Sequence, residues 1–165
     1  MEMRLVGLFL VMALLPLSLV VPGNVWGWDG YVVRVEDSNC IAVSKEKKDA
    51  SAQERLFFYG IQAPSGNQPM AAQAMTFLQQ VLPPGTPVTI DEAGEDENGL
   101  TRALIQAGGT SVNYLLLQRG LAWVDRRRCR ALYCRRWMIQ EHYAVTDRVG
   151  IWALDLGTPP WQWRR

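Results

Sequence analysis

The chain has 165 residues, carries 17 Lys and Arg against 16 Asp and Glu for a formal net charge of +1, and is 48% apolar. That balance leaves no overall field to draw in polyanions, so any affinity for nucleic acid has to be local. The length suits one domain with a core of its own, and no repeat or low-complexity tract argues for a solenoid or a disordered chain.

Met1 to Arg4 carry one positive side chain and Leu5 to Val21 form an apolar run, broken by Pro22-Gly23-Asn24 and followed by Val25-Trp26-Gly27. The pattern predicts a secretory signal over residues 1–27, cleaved near Gly27, ahead of one domain over 28–165. A retained anchor is the alternative; the run is short for a bilayer that needs ~20 apolar residues, and Pro16 shortens it further. An exported protein, periplasmic or secreted and without stable membrane insertion after cleavage, is the expectation.

Downstream, Tyr31–Val35 and Ile41–Ser44 are short runs rich in branched residues around the polar turn Glu36-Asp37-Ser38-Asn39, which reads as a hairpin. Lys45–Gln53 is polar and leads to a third strand over Arg55–Tyr59, ended by Gly60 and Pro64. Met70, Ala74, Phe77, Leu78 and Val81 have helical spacing within Pro69–Leu82, stopped by Pro83-Pro84-Gly85. Val88–Ile90 and Arg102–Ala107 read as strands bracketing an acidic turn that holds Asp91, Glu92, Glu95, Asp96 and Glu97. A short helix follows from Ser111 to Gly120. The last helix, Tyr133–Val149, has Trp137, Glu141, Ala144 and Arg148 on successive turns.

Three cysteines in an exported chain predict one disulfide and one free thiol, and Cys129 with Cys134 is the natural pair. A metal site built from Cys129, Cys134, His142 and Cys40 fits no common zinc spacing, so no metal is expected there. Trp161 and Trp163 are expected to clamp the C-terminus onto the domain.

Five strands with a helix after the third have the order of an OB-fold, a small Greek-key barrel, although periodicity alone leaves that open. A resemblance carries it further. Arg55-Leu56-Phe57-Phe58-Tyr59-Gly60-Ile61-Gln62-Ala63-Pro64-Ser65 resembles the R-L-x-G-I-D-A-P-E stretch of the staphylococcal-nuclease-like (thermonuclease) family. Val32 to Ile41 is similar to that family's V-V-R-V-x-D-G-D-T-I, and Gly120-Leu121-Ala122-Trp123-Val124 to its G-L-A-W-V. Gly99, Ala103, Val112, Asn113 and Gly150-Ile151-Trp152 fall in the same order. The resemblance implies an α+β, mainly β, five-stranded OB-fold barrel with about three helices.

It also implies calcium-dependent phosphodiester hydrolysis, yet the residues that would perform it are replaced. The metal carboxylates fall at Asn39 and Gln62, the phosphate-gripping arginines at Phe57 and Leu100, and the glutamate that handles water at Ser65. Neither Phe nor Leu offers the planar fork that meets two phosphate oxygens, and a hydroxyl is a poor proton acceptor near neutrality. The expectation is therefore a degenerate site without cofactor, with calcium relevant only if a rearranged nuclease survives. Arg55 and Arg102 lie two residues from Phe57 and Leu100 and so share their strand faces about 6.6 Å away. With Arg126 and Arg128 they are the candidates for gripping single-stranded nucleic acid or another phosphate-bearing ligand. An envelope protein held in the vacated cleft is the remaining alternative.

Overall fold

The computed structural model describes residues 27–47, 51–154 and 158–163; the expected signal segment lies outside them, apart from Gly27. Eight strands and three α-helices follow one another as β1 (Gly27–Asp37), β2 (Cys40–Ser44), β3 (Gln53–Phe58), β4 (Ile61–Gln62), α1 (Ala71–Val81), β5 (Pro87–Glu95), β6 (Thr101–Ala107), β7 (Thr110–Ser111), α2 (Val112–Gln118), β8 (Trp123–Val124) and α3 (Cys134–Thr146).

Strands β1, β2, β3, β5 and β6 make the five-stranded barrel that the resemblance implies. Their order is β3-β2-β1-β5-β6, and a parallel pairing of Phe57 and Phe58 with Arg102 and Ala103 joins β3 to β6 and closes it. β1 makes the closure possible by changing partners. Its first half, Gly27–Tyr31, pairs with β5, and Tyr31–Asp37 pairs with β2 with register shifts between Val32 and Arg34 and between Val35 and Asp37. Such bulges bend a strand and increase its twist. Val32, Ile41, Val43, Leu56, Phe58, Ile90 and Ile105 fill the interior.

The helices cap this core. Ala71, Ala74 and Leu78 bury one face of α1, and Cys134, Trp137, Glu141 and Ala144 bury one stripe of α3 at three- and four-residue spacing. Ser111 starts α2 by accepting the Tyr114 N–H. The exit of α3 returns to the end of α2, where Gly120 accepts from Ile151 N–H at 2.9 Å. A Cβ on Gly120 would lie 2.1 Å from the Val149 carbonyl, so the contact requires glycine.

Four expectations are corrected. The acidic stretch is not all turn: Asp91 to Glu95 continue β5, because Glu92, Gly94 and Glu95 pair with Ala103, Arg102 and Thr101 of β6. β1 begins at Gly27 rather than Tyr31, since its start pairs with β5, a partner distant in sequence. Arg148 is past the end of α3, with a positive φ of 52°. Trp163 is 40% exposed and bonds only its own turn at Thr158, so Trp161 alone of the two packs inward. The disulfide joins Cys129 to Cys134, and Cys40 is a buried free thiol. Burial, with Glu36 beside it, pushes that thiol up to about 12.

Candidate functional site

The β1–β2 turn and the end of β3 meet at one corner of the barrel. Asp37 Oδ1 accepts the Asn39 N–H at 2.6 Å, a local bond that tightens the turn. Asn39 then reaches across to the segment after β4: its Oδ1 accepts the Ala63 N–H at 2.7 Å, and its Nδ2 donates to the Ala63 carbonyl at 2.9 Å. An amide can serve both backbone groups at once because it has an acceptor and a donor side by side. Ser38 is buried and its hydroxyl donates to the Pro64 carbonyl. Ser65 presents its N–H to Gln68 Oε1 at 2.8 Å, and Gln68 holds the Pro160 carbonyl of the C-terminal turn. These bonds tie the turn, the Ala63–Ser65 segment and the tail into one corner.

Beside it, Phe57 sits between two guanidinium groups. Arg55 lies 5.7 Å and Arg102 5.1 Å from its ring centroid, and each is also bound to a carboxylate. Arg55 Nε donates to Glu36 Oε2 at 2.5 Å. Arg102 puts Nε and Nη2 on Asp96 Oδ2 at 3.0 and 2.5 Å, and both partners are largely covered, with side chains 20% and 4% exposed. Burial raises the Asp96 carboxyl, but the Arg102 bonds and the N–H groups of Asn98 and Leu100 outweigh it and hold the group below its ordinary range.

A cleft of about 210 Å³ opens between this wall and the loop after β8, lined by Tyr59, Gln62, Asp96, Arg102, Asp125 and Arg128. Gln62 is placed there by the short pairing of β4 with β8. Asp125 organises the loop: its Oδ1 accepts the Arg127 N–H and Nε, and its Oδ2 accepts Arg128 Nη1. Burial raises the Asp125 carboxyl as well, and these arginine bonds again bring it below the usual value. Arg128 also spans to Glu97 at 2.9 Å. On the other side of the loop Arg126 binds Glu141 Oε2 at 2.6 Å, while Glu141 Oε1 accepts the Val124 N–H. Glu141 is buried on α3, and that desolvation raises its carboxyl above the ordinary value despite both partners.

A calcium ion needs several free oxygen ligands, charged ones for tight binding. Here the Asn39 oxygen is committed to Ala63, and among the described residues no group of three His, Cys, Asp or Glu side chains converges in a way that could hold a metal. The residues present do not fit calcium.

The profile of the family described as staphylococcal nuclease homologue matches residues 55–154, which is more than half of the chain. The chain belongs to that family. It is 27% identical to the micrococcal nuclease of Shigella flexneri in an alignment spanning all of this chain and 96% of that protein. It is 27% identical to the staphylococcal-like nuclease CAN1 of Arabidopsis thaliana and 28% identical to a probable one of Oryza sativa subsp. japonica. Those alignments cover 74% and 67% of this chain. It spans about a third of the length of these plant relatives, 37% and 32%.

Within this nuclease-homologue frame, Asn39 and Ser65 share one corner, Gln62 lines the adjoining cleft, and Phe57 lies between Arg55 and Arg102. Leu100 precedes β6, part-buried, with its N–H on Asp96. The expected pair Arg55 and Arg102 does share one ring, but on opposite carboxylates. Arg126 and Arg128 come from one loop and point their bonds to Glu141 on one side and Asp125 with Glu97 on the other. Sequence reading placed the acidic run in a turn, and so missed Asp96 as the anchor of Arg102. It also missed Asp125 and Glu141 as the buried acids that shape the arginine loop. The only available signal was an acid immediately before three arginines.

Proposed function

We propose that this chain is an exported family member that does not hydrolyse phosphodiesters and acts as a binding module with local affinity for single-stranded nucleic acid. The observation that carries the first half is the double hydrogen bond of Asn39 to Ala63. The group at the family's metal position serves the backbone, and a carboxylate could not make the same pair of bonds because it has no donor. Phe57 and Ser65 remove a phosphate grip and a proton acceptor, and removal of one such electrostatic group typically costs ~100- to 1000-fold in rate. Residues 1–27 serve as the export signal in this reading, and the Cys129–Cys134 bond suits an oxidising compartment.

The second half rests on the arginine loop. Its ion pairs are largely exposed on the arginine side, with Arg126 at 65% and Arg127 at 62%. The buried acids hold the arginines in place, and a phosphate can take up the guanidinium N–H groups that those acids leave unused. The kinship with proteins named nucleases supports the same ligand class.

The purified protein is expected to show no calcium-dependent cleavage of single-stranded DNA above a heat-killed control. Cleavage that a calcium chelator abolishes would refute the non-catalytic reading. Binding to a short single strand is expected at low salt, with log affinity falling against log salt at a slope of roughly −1.4 to −2.1 for two or three phosphate contacts. If no strand binds even at low salt, the envelope-interaction reading replaces this one.

A further inference from the structure

Behind the arginine loop, on the side away from the cleft, lies a hollow of about 320 Å³ walled by Trp123, Trp152 and Trp161. Trp123 and Trp152 meet edge to face, with centroids 5.3 Å apart and planes at 65°. Trp161 is carried there by the turn Pro160–Gln162, and the Arg127 guanidinium lies 5.3 Å from its ring. Val145 and Pro159 supply the rest of the apolar lining. The indole N–H of Trp152 is buried, and it is the one buried side-chain polar atom without a hydrogen-bond partner among the described residues. That N–H is closed off from the hollow, so what the hollow offers a guest is its ring faces and the arginines beside them.

The chemistry of the walls narrows the guest. A cation is disfavoured because the single acid there, Glu141, is already satisfied by Arg126 and the Val124 N–H, and Arg126 and Arg127 add positive charge. A neutral sugar would make no use of the positive charge of Arg126 and Arg127. A nucleobase is flat, stacks on indole, and arrives between phosphates that those arginines can meet.

We propose that this hollow is a base-stacking pocket, in which an unpaired base of a single strand packs among the rings of Trp161, Trp152 and Trp123 and has its flanking phosphates met by Arg126 and Arg127. The proposal rests on the nucleic-acid half of the functional reading and adds to it a specific subsite outside the cleft.

The test compares the full protein with Trp161→Ala and Trp161→Phe, titrated at low salt with an oligothymidylate and with an abasic strand of equal length. Loss of one stacked base typically weakens binding about 5- to 140-fold. Trp161→Ala should lose that much for the oligothymidylate, Trp161→Phe should lose much less, and the abasic strand should bind the unaltered protein as weakly as the oligothymidylate binds Trp161→Ala. Equal affinity of the unaltered protein and Trp161→Ala for the oligothymidylate overturns the pocket while leaving phosphate binding in place. No binding of either strand overturns both readings. Should Trp161→Ala lower the melting temperature, quenching of tryptophan fluorescence in the unaltered protein by thymidine monophosphate, compared with ribose phosphate, decides instead. Quenching by a neutral oligosaccharide with none by the nucleotide would assign the hollow to a glycan and sink the proposal.

Discussion

The corner at Asn39 and the hollow at Trp161 lie at the two sides of one loop and differ in how their polar atoms are satisfied. At the corner, the Asn39 amide, the Ser38 hydroxyl and the Ser65 N–H all have partners within the chain, and Arg55 and Arg102 are held by Glu36 and Asp96. The hollow is instead walled by indole rings, with the exposed guanidinium of Arg126 at its edge. A ligand at the corner must displace existing bonds, whereas one in the hollow meets ring faces. Asn39, Ser38 and Ser65 therefore form a sealed joint.

The largest effect is expected where the two regions meet, at Gly60. Its carbonyl accepts the Asp125 N–H, its φ is +68°, and an added Cβ would sit 2.7 Å from Cys129 Sγ and 3.1 Å from the Trp137 ring. Gly60→Ala should cost roughly 2–5 kcal/mol, combining about 1–2 for left-handed backbone with about 1–3 for crowding a fixed disulfide. Denaturant unfolding measures it. A loss well under 1 kcal/mol would mean that the loop shifts freely and the two regions are not mechanically joined.

Asn39→Asp should cost less, about 1–3 kcal/mol, because the Ala63 carbonyl loses its donor and faces a carboxylate. Thermal melts check this, and millimolar calcium should leave the unaltered protein's melting temperature where it is. With Gln62→Asp added, calcium should raise the melting temperature, since a ligand stabilises only by binding the native state. A calcium shift in the unaltered protein would contradict the sealed-joint picture.

The smallest effect is the acid response. Asp96 and Asp125 have lowered values when folded, so their contribution is complete above the ordinary aspartate value of 3.8 and is lost as pH falls below it through the folded values. Glu141, raised by burial, acts in the other direction: its contribution is largest when protonated and declines as pH rises from the ordinary 4.5 through its folded value. Melting temperature should thus change little between neutrality and the mid-acid range and drop below pH 3.8. Asp96→Asn with Asp125→Asn should flatten that drop, and an unchanged drop would show that other carboxylates set the acid limit.

Much of the fold was readable from local patterns. Branched runs around Glu36–Asn39, the helical spacing from Met70 to Val81, and the two cysteines at 129 and 134 each correspond to an observed element, because strand, helix and tight-loop preferences act over a few residues. The short strands β4, β7 and β8 were not readable, since two-residue pairings carry no period of their own. The continuation of β5 through Glu95 was hidden for a related reason. Its charged residues have the composition of a turn, and only the pairing with β6 holds them extended.

The sequence by itself determined the family, because a motif is a statement of identity and order. The assignment of Asn39, Phe57, Gln62, Ser65 and Leu100 to the family's reaction positions is what the resemblance implies. Only the tertiary structure decided what those side chains and the arginines around them do. Arg102 meets Asp96, Arg126 meets Glu141, and Asn39 meets Ala63 across separations of 6, 15 and 24 residues. Partners set by how separate elements pack leave no short-range trace, and the same holds for Trp123, Trp152 and Trp161, which three different segments bring to one hollow.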